Sequence, residues 1–313
     1  MKFIIVGILV IFAAGCGGGG GEETPPYLLK SIDTPGIAND IAVAGGYVYI
    51  ADGVSGLRII DVDPPADAHL VKVVTTPDNA LGVTLAGGYA YVADNEAGVH
   101  AINITTPESA SIVGTINTPG QATDVAIAGG YAYVADGTSG LQIIDINPLN
   151  TAYVVKSVDI AGVASDVAVA GGYAYIANDH RGVQIIDVDP PESAAIVKTV
   201  DTPGSVTGVA IAGNYLYVAD EAGGLQIINI TQPESAAIIN TVYTADAIHC
   251  VTVSGNYACV AGKSFHLAGI NPPATAHITG SVALPKDAYG VAMSGVYAYV
   301  ADTHAGLIIV KIF

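Results

Sequence analysis

Gly129-Gly130-Tyr131-Ala132-Tyr133-Val134-Ala135-Asp136 is the stretch on which the fold of this 313-residue chain turns, because close copies of it recur along the sequence. Its first tyrosine aligns with Tyr47, Tyr89, Tyr173, Tyr215, Tyr257 and Tyr297, at steps of 42 residues with a last step of 40. Ahead of the quoted copy, Asp124-Val125-Ala126-Ile127-Ala128 alternates in the way of a strand. Gly129-Gly130 is a two-residue hairpin signal, so the two runs pair antiparallel. Asp136-Gly137-Thr138-Ser139-Gly140 supplies the next turn, Leu141 to Ile146 a third strand, Asn147-Pro148 a break and Tyr153 to Val158 a fourth. No segment shows helical spacing. Four short strands in a unit of about 40 to 45 residues make a propeller blade, a sheet that buries both faces against its neighbours around an axis. Seven units predict an all-β, seven-bladed β-propeller with four-stranded antiparallel blades.

The ends of the chain predict how the ring closes. The seventh unit stops at Phe313 after its third strand, whereas Tyr27-Leu28-Leu29-Lys30-Ser31-Ile32-Asp33 matches a fourth strand such as Ile196-Val197-Lys198-Thr199-Val200-Asp201. Pairing it with Leu307 to Ile312 closes the last blade and removes an exposed edge.

The third-strand motif reads Leu57-Arg58-Ile59-Ile60-Asp61, Leu141-Gln142-Ile143-Ile144-Asp145 and Val183-Gln184-Ile185-Ile186-Asp187. It resembles the LVIVD-repeat family of bacterial and archaeal surface propellers over nearly all of residues 27–313. Blade six departs with Phe265-His266-Leu267-Ala268-Gly269, and blade seven with Leu307-Ile308-Ile309-Val310-Lys311. The resemblance implies a propeller and a surface location, and it brings no catalytic residues with it.

Residues 1–15 read as a lipoprotein signal peptide: Lys2 precedes an apolar run from Phe3 to Ala14 that is too short to span a bilayer. Ala13-Ala14-Gly15-Cys16 resembles a lipobox, which makes Cys16 the lipid attachment site. Residues 16–26, with Gly17 to Gly21, read as a tether, and 27–313 as a single propeller. The expected location is therefore extracytoplasmic, lipid-anchored to the cell envelope. The tether enters at the start of a fourth strand, which points the opposite, top face outward. A net charge of −18 with 10 basic residues excludes a nucleic-acid partner, since phosphate binding needs clustered Lys and Arg. A monomer engaging a protein or glycan is expected, with no cofactor.

Candidate site residues are weighed by whether they repeat. Asp52, Asp94, Asp136, Asp220 and Asp302 recur ahead of turns and read as caps on backbone amides. No Asp-x-Asp-x-Asp-Gly loop or zinc spacing occurs, so no metal site is assigned. Asp40, Asp124 and Asp166 begin three innermost strands, where the other blades carry Gly82, Gly208, Cys250 and Gly290, and are expected at the channel mouth. The blades that drift most, six and seven, place His249, Lys263, Phe265, His266, Lys286, Asp287, Tyr289 and His304 in one top-face sector, the candidate binding site. Cys250 and Cys259 fall on two strands of one hairpin as diagonal neighbours. A disulfide and two buried free thiols both remain open, because diagonal Cα separations sit at the edge of the workable range of about 4.4 to 6.8 Å. No pair has the spacing of a nucleophile and its base, and no catalytic residue is assigned. Three functions fit: a binding or scaffolding module acting through the top face, an extracytoplasmic hydrolase or lyase with top-face acid and base, and a structural surface-layer component.

Overall fold

The computed structural model describes residues 25–313, and the signal segment, Cys16 and the glycine tether lie outside the described residues. Seven four-stranded antiparallel sheets follow one another around an axis. Blade three is typical: Asp124–Ala128 lies innermost, followed outward by Tyr131–Ala135, Leu141–Asp145 and Tyr153–Val158. Its first hairpin pairs Ala128 with Tyr131 and Asp124 with Ala135. Gly129 and Gly130 take φ of 60° and 88°, the left-handed pair that a type I′ turn needs and that L side chains resist.

The inner strands of successive blades contact one another, and the sheets stack face to face between them. One apolar cluster joins Tyr133, Leu141 and Ile143 of blade three to Val167, Ile176 and Ile186 of blade four, and equivalent clusters fill the other gaps. The second tyrosine of each copy is buried in these gaps, as Tyr49, Tyr91, Tyr133, Tyr175, Tyr217 and Tyr299, with Cys259 in its place in blade six. Alternation along the strand thus puts one residue set into each interface, which is why the repeat folds only as a ring.

Closure follows the sequence expectation. Tyr27–Ile32 pairs antiparallel with Gly306–Lys311, from Tyr27 opposite Lys311 to Ile32 opposite Leu307. Pro26, assigned to the tether, is buried, and a Cβ at Gly280 of blade six would stand 2.4 Å from its ring. The loops between third and fourth strands wind into single 3-10 turns, such as Pro65–Asp67 and Pro191–Ser193, which the lack of helical spacing did not foresee. Proline at the first helical position favours such a turn even where no periodicity extends it.

Candidate functional site

At the top of the axis the inner strands crowd together, and there is no room for seven side chains. A Cβ on Gly82 would lie 2.8 Å from Asp124 Oδ1, and one on Gly290 2.7 Å from Asp40 Cα. The glycines therefore make space for the three aspartates. Each aspartate is fixed by an amide of a following blade: Val83 N donates to Asp40 Oδ2 at 2.8 Å, Val167 N to Asp124 Oδ2 at 3.1 Å and Val209 N to Asp166 Oδ2 at 2.7 Å. Their carboxyl groups line an axial cavity of about 390 Å³, where Asp166 and Asp124 share a hydrogen bond.

Like charges brought together away from bulk water hold on to protons. Burial, and then the charge of Asp124, pushes Asp40 up to about 7, and the same two causes in the same order hold Asp166 well above the usual carboxylate range. A folded-state pKa raised above the unfolded value of 3.8 means that the folded chain holds a proton the unfolded chain releases. Stability is therefore expected to fall as pH rises from about 4 to about 7. Asp166→Asn should raise the melting temperature at pH 8 by roughly 2–4 °C, the shift that about 1 kcal/mol gives in a large domain, and have little effect at pH 4.5. Calorimetric scans at the two pH values check this; a melting point lowered at both would show the carboxylate to be structural.

The residue ahead of each inner strand forms a second ring, and in most blades it acts as a staple. Asn39 Nδ2 donates to Ala80 O at 2.9 Å, Thr123 Oγ1 to Ala164 O at 2.9 Å and Thr207 Oγ1 to His249 O at 2.8 Å. Blades six and seven carry His249 and Tyr289 there. Their inner strands, Ile248–Ser254 and Ala288–Ser294, run to seven residues instead of five, and the ladder slips at His249 and at Tyr289. The residue at this position lines the axial cavity in all seven blades, so what sets blades six and seven apart is the ring each carries. The two rings stack with centroids 4.6 Å apart and planes 9° from parallel. His249 Nδ1 has no hydrogen-bond partner and lies 3.9 Å from Glu221 Oε1, while burial lowers the pKa of the imidazole. Both rings line the same cavity as the aspartates. Two groups that the sequence treats separately, the channel mouth and the blade six and seven sector, meet in one site.

The rest of the sector divides. Lys263 and Asp287 lie close enough to His249 to act on its charge. Lys286 is exposed and contributes its backbone amide to Asp302 Oδ2 at 2.8 Å. Phe265 and His266 are not loop residues: the turn in blade six is Lys263 alone, so Ser264–Gly269 is already strand and both side chains are buried. Phe265 packs between blades six and seven, and His266 Nδ1 bonds Ser281 Oγ at 2.7 Å. His304 lies apart, in a groove with Asp33, Ile37 and Val54 where blade seven meets blade one. Cys250 and Cys259 are diagonal neighbours, as the hairpin requires, and both are free buried thiols. Burial raises both pKa values, and Cys250 also lines the axial cavity.

The recurring aspartates are structural, though they reach further than their own turns. Asp52, Asp94, Asp136, Asp220 and Asp302 accept the amides of Gly36, Asp78, Gly120, Gly204 and Lys286, each 16 residues upstream, and so pin the loop between blades to the turn within a blade.

This architecture defines a repeat propeller with a hollow axis. The LVIVD repeat model matches residues 35–76, 78–118, 119–156, 161–202, 203–244, 249–268 and 285–312, and the chain belongs to the LVIVD-repeat family. The shortest match, 249–268, falls in blade six, where the third strand departs from the motif. No curated protein sequence matches significantly. Among solved structures, the chain is similar to the WD40 β-propeller domain of Doa1, with 12% identity, a TM-score of 0.76 and coverage of 92% of this chain and 97% of that one. It is also similar to the Neurospora crassa Pan2 WD40 domain, with 13% identity, a TM-score of 0.74 and coverage of 93% and 97%. The computationally designed Ika8 protein aligns at 8% identity and a TM-score of 0.67, over 91% of this chain and 99% of that chain. At such identities these likenesses show the fold alone.

Proposed function

We propose that this chain is a binding module held at the cell envelope by a lipid on Cys16, with its top face outward and its ligand seated at the axial mouth, where it engages a protein or glycan. The observation that carries this reading is the asymmetric axial cavity. Blades one, three and four supply carboxylates, of which Asp40 and Asp166 are held above the usual carboxylate range, and blades six and seven supply stacked aromatic rings. Costly groups kept together in a cavity mark a functional site more often than a structural one. The same face offers contact surface, with Val54 and Tyr243 each 76% exposed on loops around the rim. Membrane attachment rests on the lipobox; among the described residues no helix is long and apolar enough to cross a membrane.

The test is a pull-down from envelope extracts with the full chain. Cys16→Ser is expected to release the protein into the soluble fraction without changing what it captures. Asp166→Asn combined with Tyr289→Ala should abolish capture while leaving the circular dichroism spectrum intact. Capture that survives the double substitution would move the binding surface off the axis.

A further inference from the structure

Opposite walls of the axial cavity differ in chemistry. Asp124 and Asp166 of blades three and four stand across the ring from the stacked His249 and Tyr289 of blades six and seven, while Asp40 of blade one stands next to blade seven; Leu81, Val209, Val251 and Val291 also line the space. No Lys or Arg lines it. Burial lowers the pKa of the His249 imidazole, and the carboxylates are the charged side chains that line the cavity. A volume of about 390 Å³ suits a small organic molecule and is far more than a bare ion fills. Among the described residues, moreover, no three His, Cys, Asp or Glu side chains converge closely enough to hold a metal ion. A positively charged group is attracted both to the carboxylates and to an aromatic face, and an attached carbon skeleton fits the apolar lining.

We propose that the axial cavity binds an organic ammonium ion, its charged nitrogen against Asp124 and Asp166 and its carbon body against the His249 and Tyr289 rings. The proposal rests on the axial mouth being the ligand seat and names the chemistry that the seat selects. The amine can belong to a free small molecule or to an amino sugar of a glycan, since both present the same group. Binding is coupled to protons: the cation takes the place of the proton held between Asp124 and Asp166, which leaves to solvent, so affinity rises with pH.

Isothermal titration of the full chain with putrescine, choline and glucosamine tests this, with glucose and Ca²⁺ as comparisons. At least one amine is expected to bind at pH 8, about tenfold more weakly at pH 6, with a heat that varies with the ionisation enthalpy of the buffer. Glucosamine binding with glucose silent assigns the glycan source; putrescine or choline alone assigns a free amine. Asp166→Asn should weaken binding at least tenfold although the variant melts higher, and Tyr289→Ala should weaken it several-fold. Tight Ca²⁺ binding with no amine response would overturn the ligand class. Failure of all the probes, with pull-down still abolished by the axial double substitution, would overturn the ligand class and keep the seat. Failure of the probes with pull-down unaffected would remove both.

Discussion

A chain that begins after Ile32 is expected to lose cooperative folding. The missing strand leaves Gly306–Lys311 with an open edge and uncovers part of the cluster to which Leu29 and Ile32 contribute, which also holds Ala38, Ile41 and Leu307. An open, apolar edge strand is a template for pairing with other chains. The truncated protein should therefore unfold in a broad transition and form oligomers, where the full chain gives a single sharp transition; thermal scans with light scattering distinguish the two. Adding the peptide of residues 25–34 in excess should restore part of the sharpness, because it rebuilds the same ladder. A truncated chain that melts as a sharp monomer would mean that the ring holds without its latch.

Asp52→Ala is expected to cost about 3–5 kcal/mol, the range for stranding a buried charge. Asp52 is fully buried, accepts from Thr34 Oγ1 at 2.6 Å and Gly36 N at 3.2 Å, and pairs with the Arg58 guanidinium. Arg58 is 9% exposed, so without Asp52 its cation has neither a partner nor full access to water. Arg58→Leu in the same chain should recover a large part of the loss, since an apolar group replaces the stranded charge. Blade seven already carries that solution: Ile308 stands where blade one has Arg58, and Asp302 there satisfies only backbone amides. A denaturant series on the two single variants and the double variant measures the coupling. Equal losses from Asp52→Ala and from the pair would show that the missing backbone acceptor, and not the charge, dominates.

The ring was legible in the sequence because its cause is a period. A repeat of 42 residues with an alternating hairpin at fixed offset leaves few alternatives, and the shortfall of one strand at the C-terminus pointed to Tyr27–Ile32. The candidate site was legible only in pieces. Asp40, Asp124 and Asp166 stood out as departures at one repeat position, and His249 and Tyr289 as departures at the position before it. Nothing in the residue types says that the two rows face one cavity, since strand alternation would send consecutive positions to opposite faces, yet residues of both rows line it. The assignment of Phe265 and His266 to a loop failed for a related reason. Blades one to five spend five residues on that turn, as at Asp52 to Gly56, and blade seven three, while blade six spends one, and the shortened turn draws both side chains into the core.

The latch also imposes an order of events. Tyr27 to Ile32 and its partner strand Gly306–Lys311 are separated along the sequence by all the other strands of the ring. Contacts so distant along a chain form slowly, because nearly the whole polypeptide must already be compact when they do. Until then one strand has no sheet and one sheet has no border, so a molecule whose ring has not yet closed is the form most exposed to misassembly. Holding Tyr27 to Ile32 in place while the other blades pack would shorten that search, so whatever restrains this strand also speeds closure of the ring.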